Sequence, residues 1–339
     1  MQSPFLLALH ICTMLLGETI SLFVALSWTI TALFAEVGSK RMGSLPFNVV
    51  RMSISLLFLS ITVWLTMGTP YPRFADASTW IYLLLSGIVG YVIGDYCLMQ
   101  GYILIGSRFG QLFMTLSAPS AALTARLFLG ERMRAIVIVG MIITLTGIIL
   151  SVFSKDGGDS HSVHLKLPLK GVFYAAMAGI GQGIGLVISK VGLLHYEDAI
   201  SNAGLSGMSV PDGALLHVPL SISIPFAATL IRAYIGLVGF FVVLMVFNHD
   251  GLIKLHRAVS DRKAMLCVLG STVFGPFLGV SASLLATLYT NAGIAQTIFA
   301  LTPVLIIAPA ALLFKQRVTF WEVVGAIISV VGVSLFFVA

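Results

Sequence analysis

An acidic side chain inside an apolar segment is the clearest candidate for chemistry in this sequence. Asp95 lies in the segment SGIVGYVIGDYCLMQGY and has no Lys or Arg within twelve positions on either side. A charged group at the centre of a helix surrounded by lipid costs about 2.5–3.5 kcal/mol, so this carboxyl group should face the protein interior. It would serve either as a proton-coupling or ligand-binding carboxylate, or as the acidic half of a structural ion pair with Arg51 or Arg108.

Two arginines occupy matched positions in the two halves of the chain. Arg51 ends the segment PFNVVR and Arg232 ends the segment PFAATLIR. Long cationic side chains near the ends of membrane helices usually extend to the lipid headgroups. Because both arginines follow the same Pro-Phe pair, they are also candidates for an anion-binding pair in a central cavity.

Other side chains could contribute to a substrate or coupling site. Glu36 and Lys40 are four residues apart, a spacing that also pairs them on one helix face. Trp28 and Tyr91 could stack on a ligand, although aromatic residues in membrane helices more often pack or anchor at the interface. Uncharged polar side chains inside apolar segments need hydrogen-bond partners and should face protein or cavity. They are Gln100, Gln111, Gln182, Asn291 and Gln296, of which Gln111 and Gln296 hold matched positions 185 residues apart.

The composition indicates which elements carry these residues. Hydrophobic residues make up 58% of the chain and charged residues only 9%, whereas a soluble domain carries about 25% charged residues. Apolar runs of about 20 residues recur, each long enough to cross a hydrocarbon core as a helix. The net charge of +6 is weak evidence for nucleic-acid binding, and no nucleic-acid partner is expected. The sequence therefore predicts an all-α integral membrane protein.

The pattern predicts ten transmembrane helices, five in each half. Their approximate bounds are 17–38, 46–67, 79–104, 108–129, 134–153, 170–194, 223–247, 264–288, 292–314 and 319–338. The predicted organisation is an apolar N-terminal extension (1–16), a first five-helix repeat (17–153), a polar linker (154–169) and a second repeat (170–339) with an inserted loop at about 195–222.

The two halves are copies of one unit. Six residues of the first half find the same residue type 185 positions later: Gly90, Gly94, Gln111, Arg132, Gly140 and Gly147 correspond to Gly275, Gly279, Gln296, Arg317, Gly325 and Gly332. Since five is an odd number, the second copy would enter the membrane from the opposite side. Inverted repeats around a site at the middle of the membrane are typical of secondary transporters.

A short motif adds a family resemblance. Leu129-Gly130-Glu131-Arg132 precedes an apolar helix that carries Gly140 and Gly147, and in ten spans this resembles the drug/metabolite transporter superfamily, more narrowly its bacterial EamA-like branch. The second copy departs from the motif, with Lys315-Gln316-Arg317 in place of Gly-Glu-Arg. The resemblance implies a multipass transporter of small metabolites in the bacterial inner membrane, with no bound cofactor. No metal site is expected either.

The favoured hypothesis is a secondary transporter that carries a small organic solute through a cavity at the middle of the membrane by alternating access. Its candidate partners are that solute, the bilayer, protons as coupling ions and a second copy of the chain. The alternatives are a membrane transferase, for which no paired acids or nucleophile–base pair is recognisable, and a non-transporting scaffold. We therefore expect no enzymatic activity.

Charge and family resemblance disagree about orientation. The superfamily pattern implies that both termini are cytoplasmic. The positive-inside tendency instead assigns the 249–263 loop, with Lys254, Arg257, Arg262 and Lys263, to the cytoplasm. We predict from charge that both termini are periplasmic.

Overall fold

The structure, a computed structural model, describes residues 4–129, 135–152, 167–247, 251–289, 295, 298–315 and 318–335. These residues contain helices and connections but no β-strand. The α-helices are α1 (Pro4–Met42), α2 (Ser44–Met67), α3 (Ala77–Gly87), α4 (Tyr96–Phe113), α5 (Ser117–Leu129), α6 (Ala135–Val152), α7 (Leu169–Asn202), α8 (Leu220–Phe247), α9 (Gly251–Ser260), α10 (Arg262–Thr272), α11 (Leu278–Tyr289), α12 (Thr302–Leu305), α13 (Ile307–Phe314) and α14 (Phe320–Ser334). Two π-helical segments, Ile88–Asp95 and Val273–Phe277, join α3 to α4 and α10 to α11.

Six helical stretches are long and apolar enough to cross a membrane: Leu16–Met42, Ser44–Met67, Ala77–Phe128, Leu169–Asn202, Leu220–Val246 and Arg262–Tyr289. Three shorter apolar helices, Ile138–Ser151, Thr302–Phe314 and Phe320–Ser334, fall in the predicted fifth, ninth and tenth spans. The chain is therefore a multipass helical membrane protein. The predicted N-terminal extension begins no separate element, because α1 runs without interruption from Pro4 to Met42.

The stretch Ala77–Phe128 is too long for a single crossing. Its 52 residues would extend about 78 Å as a straight helix, against a hydrocarbon core of about 30 Å. Gly106 breaks the helix with φ 80° and ψ 162°, a conformation that a residue with a Cβ rarely adopts. The break separates the third and fourth predicted spans.

The loop predicted at about 195–222 is shorter in the structure, because α7 continues to Asn202 and the irregular segment covers 203–219. The added turns stay helical because Tyr196 and Ile200 are buried in the same apolar cluster as Leu83. The hydroxyl of Tyr196 also donates a hydrogen bond of 2.5 Å to the carbonyl of Arg73.

Two further connections contain regular structure or backbone hydrogen bonds that the sequence did not predict. The backbone N–H groups of Leu215 and Leu216 donate to the carbonyl of Leu65, over 2.9 and 2.8 Å, so the irregular segment folds back on the end of α2. The basic 249–263 loop contains the short helix α9. Its Gly251 and Ala258 are buried while Leu252 is exposed.

Equivalent elements of the two halves make equivalent contacts. The first helix, α1, packs on α10 and α11, and its counterpart α7 packs on α3, α4 and the π-helical segment between them. Helix α2 packs on its own counterpart α8, and α6 packs on its own counterpart α14. Each of these contacts therefore has an equivalent contact when the elements of the two halves are interchanged.

In the α6–α14 interface, equivalent residues of the two helices also make equivalent contacts. A Cβ on Gly147 would lie 2.5 Å from the backbone nitrogen of Ser329, and one on Gly332 would lie 2.4 Å from that of Thr144. The hydroxyls of Thr144 and Ser329, equivalent at the 185-residue offset, each face the other's carbonyl, over 3.4 and 3.3 Å. Small residues let the two backbones approach this closely.

Candidate functional site

A cavity lies where helices from both halves converge. Its volume is about 100 Å³, measured as the space open to the centre of a water molecule. This is several times the roughly 10–15 Å³ that holds one water. Seven of the twelve residues named as substrate or coupling candidates line it: Trp28, Arg51, Tyr91, Asp95, Gln111, Gln182 and Arg232. The space therefore suits a small solute.

The π-helical segments shape the cavity wall. A widened π turn frees carbonyl groups from the helix and often marks a functional site. The segment Ile88–Asp95 is approached closely by α7, since a Cβ on Gly185 would lie 3.0 Å from the Cα of Gly90. This approach lets the Gln182 amide donate 2.9 Å to the carbonyl of Gly90. The second segment, Val273–Phe277, begins at the equivalent place in the other half.

Asp95 is buried and surrounded by polar partners. Its Oδ2 lies 3.1 Å from Nη1 of Arg51, and both side chains are about 95% buried. Its Oδ1 accepts a 2.8 Å hydrogen bond from Gln182. Arg51 also donates to the side-chain oxygen of Asn48 over 3.3 Å. Of the two partners proposed for Asp95, the structure places Arg51 beside it.

Arg232 has a different environment. Its guanidinium lies over the ring of Tyr91, 4.7 Å from the centroid, and only 4% of the residue is exposed. Among the residues that the structure describes, no carboxylate lies within ion-pairing distance of it. Its Nε has no hydrogen-bond partner there either.

The remaining lining residues supply aromatic and amide groups. The rings of Trp28 and Phe299 are in tilted contact, with centroids 5.0 Å apart. The amide of Gln111 donates a 2.6 Å hydrogen bond to the hydroxyl of Tyr102, and both side chains line the cavity. Aromatic and hydrogen-bonding side chains therefore line the same cavity.

Glu36 and Lys40 lie outside this cavity lining. Glu36 Oε1 is 2.5 Å from Nζ of Lys40, and its Oε2 accepts a 2.6 Å hydrogen bond from the backbone N–H of Ser107. That N–H follows the break at Gly106, where a new helical run begins. A carboxylate at such a position satisfies an unpaired N–H group and favours the positive end of the helix.

Several residues named from the sequence lie outside the described residues: Gln296 and Arg317 of the repeat, the candidate Asn291, and Gly130, Glu131 and Arg132 of the family motif. Leu129, Gly140 and Gly147 of the motif are described. Gly140 and Gly147 lie in the α6–α14 interface, away from the cavity lining.

Sequence reasoning missed a second buried ion pair. Nη2 of Arg108 lies 3.2 Å from Oε2 of Glu322, with about 9% and 6% of the side chains exposed. It joins the start of the fourth predicted span to the start of the last helix. The sequence signal at Glu322 is the spacing Thr319-x-x-Glu322, a capping box that marks the start of a helix. This signal does not predict that Glu322 pairs with Arg108.

Comparisons with known proteins bear on the fold and the family. A solved crystal structure, described only as that of a protein, is similar to this chain at a TM-score of 0.55 and 14% identity, over 95% of this chain and 96% of that chain. At this identity the likeness concerns the fold alone. No curated protein sequence matches the chain.

The sequence model of the EamA-like transporter family matches residues 15–153 and 220–338, which together make up most of the chain. The matched ranges contain the helical repeat elements on both sides of the linker, with the exception of α7. The multipass helical fold agrees with this match. The chain therefore belongs to the EamA-like transporter family.

Proposed function

We propose that this protein is a secondary transporter that carries a small organic solute through its central cavity by alternating access. The observation that carries the proposal is a central cavity lined by three buried charged side chains, drawn from α2, α8 and a π-helical segment. Charged groups inside a membrane protein are expensive to bury and usually mark a substrate or ion pathway. Family membership supports transport as the activity.

Ten crossings in two inverted five-helix repeats fit this function. The break at Gly106 supports two crossings between residues 77 and 128. The exchanged contacts between α6 and α14 support a two-fold relation between the copies. An odd number of crossings in each copy makes that relation inverted, so rocking one half against the other would expose the cavity to each side in turn.

The charged residues have separate roles in this proposal. Asp95 alternates between an ionised form paired with Arg51 and a protonated form, which couples transport to protons. Tyr91 holds the guanidinium of Arg232 at the cavity by a cation–π contact. The membrane is proposed to be the bacterial cytoplasmic membrane.

Flux into proteoliposomes tests the proposal. Vesicles containing the purified protein are loaded with a mixture of small metabolites, and exchange against external labelled solutes is followed with and without a pH gradient. Met114→Trp, which enlarges a half-buried cavity-lining side chain, should abolish flux. The matched control Met208→Trp lies on the exposed 203–219 segment and should leave flux unchanged.

Asp95→Asn, assayed where it remains folded, should keep exchange but lose its response to the pH gradient. An unchanged response would remove the coupling role. If no solute in the mixture moves faster through wild-type vesicles than through vesicles with Met114→Trp, the transport proposal fails.

A further inference from the structure

The two buried arginines of the cavity occupy equivalent surroundings. A Cβ on Gly275 would lie 3.3 Å from Nη2 of Arg51, and one on Gly90 would lie 3.0 Å from Nη2 of Arg232. Gly90 and Gly275 are equivalent at the 185-residue offset. Each guanidinium therefore lies against the π-helical segment of the opposite half, in a space that the missing side chain leaves open.

Among the described residues, an acidic partner is found for Arg51 and not for Arg232. Arg51 is 3.1 Å from the carboxylate of Asp95. At the 185-residue offset, the residue equivalent to Asp95 is Val280, which lines the same cavity. Within the described part of the chain, Arg232 is left with the ring of Tyr91 and without a carboxylate.

The charges of the described lining residues do not balance when Asp95 is ionised. Among the described lining residues, Arg51 and Arg232 are cationic and Asp95 is anionic, which leaves one positive charge in excess. A buried charge without a counter-ion is strongly unfavourable. A bound anionic group beside Arg232 would remove the excess.

The rest of the space suits an apolar group. Gly279 lies one helical turn beyond Gly275, and a Cβ there would be 2.9 Å from Nε1 of Trp28. Trp28 contacts Phe299, and Val280 and Leu186 add apolar lining. A ligand pocket of this kind combines apolar walls with a few polar groups that fix orientation.

We propose that the cavity binds a small organic anion whose carboxylate pairs with Arg232, at the place where the second half lacks the counterpart of Asp95, and whose apolar body lies towards Trp28 and Phe299. The proposal names the substrate class of the transporter proposed above and rests on it for its physiological meaning. The binding step itself needs no transport.

Binding to the detergent-solubilised protein in chloride-free buffer tests the proposal, with benzoate and benzamide as probes. The two probes have nearly the same shape and differ in charge. Benzoate should raise the Tm and give a saturable affinity, and benzamide should do neither. Equal effects of the two probes, or no effect of benzoate, would overturn the proposal, as would an equal shift caused by chloride.

Variants locate the anion. Val280→Asp supplies the missing carboxylate and should weaken benzoate binding by about tenfold or more, while Val280→Asn should stay close to wild type. Should Val280→Asp fail to fold, Arg232→Gln tests the same point, since it should lose benzoate binding whereas Arg232→Lys keeps part of it. Benzoate affinity that is unchanged in Arg232→Gln would refute the assignment.

The same measurements separate this inference from the proposed function. Benzoate binding that depends on Arg232, in a protein without solute flux, would keep the anion site and reject transport. Flux of neutral or cationic solutes without benzoate binding would keep transport and reject the anion site.

Discussion

The buried pair of Asp95 and Arg51 gives the most direct test of the electrostatics. Asp95→Asn removes one charge and nearly preserves the shape of the side chain. At a separation of 3.1 Å and an effective dielectric constant of about 20, the attraction is about 5 kcal/mol. Removing one partner of a buried pair costs about 3–5 kcal/mol because the other charge stays buried and uncompensated. We therefore expect a loss of about 3–5 kcal/mol of stability.

The assay is thermal unfolding of the purified protein in detergent at neutral pH, followed by the amount that stays monodisperse after heating. Since about 1 kcal/mol shifts the Tm of a protein of this size by a few degrees, the Tm of Asp95→Asn should fall by at least about 5 °C. The double variant Arg51→Gln/Asp95→Asn removes both charges, so its loss should be smaller than the sum of the two single losses.

An exposed ion pair serves as the matched control. Arg41 Nε lies 2.7 Å from Oδ2 of Asp261, but 45% and 32% of the side chains are exposed. Water and salt screen such a pair, so Asp261→Asn should leave the Tm close to that of wild type. If Asp95→Asn unfolds at the wild-type temperature, a charged Asp95 does not stabilise the folded protein through Arg51. The ion-pair reasoning would then be refuted.

Three further predictions concern packing, pH and orientation. Gly147→Leu should lower the Tm by several degrees, because its Cβ would lie 2.5 Å from the backbone nitrogen of Ser329 and overpacking costs about 1–3 kcal/mol; an unchanged Tm would contradict the close approach of α6 and α14. Hydrogen bonds from Thr79 hold the pKa of the Asp76 carboxyl, the cap of α3, below its usual value, so its contribution is present above the unfolded-state pKa of about 3.9 and is lost as pH falls through the lower folded-state pKa. Loss of this N-cap in Asp76→Ala should lower the free energy of unfolding by about 1 kcal/mol at neutral pH and by less near pH 3. A stability difference from wild type that grows on acidification would contradict this pH dependence. Finally, Ser260→Cys in a background without the native cysteines should resist an impermeant maleimide in intact spheroplasts, and labelling would place the basic loop outside and refute the orientation predicted from charge.

The residues of the site could be found in the sequence, but their pairing could not. Hydrophobicity and spacing indicate that Asp95 must face the interior, because lipid excludes a charged group. They leave both Arg51 and Arg108 as candidates for its partner. The choice depends on which helices are neighbours, and Arg108 lies beyond the break at Gly106, where Glu322 of the last helix pairs with it.

The helices likewise divide into features that the sequence predicted and features that tertiary contacts decided. Apolar runs and the 185-residue offset predicted the helical membrane architecture, since a backbone in lipid must satisfy its hydrogen bonds within each segment. The length of α7 was wrong from sequence alone because Tyr196 and Ile200 stay helical through burial against α3, a contact that no local pattern encodes. The π-helical segments also had no recognised signal.

The sequence by itself determined that the protein consists of two related copies of helical membrane segments, that Asp95 is interior, and that Arg51 and Arg232 are counterparts. These conclusions follow from periodicity and from the cost of polar groups in lipid, which act residue by residue. Only the tertiary structure decided that Asp95 pairs with Arg51 and that Arg232 is left against Tyr91. Pairing depends on distances of a few ångströms between helices far apart in the chain, and those distances are set by close approaches such as Gly185 to Gly90.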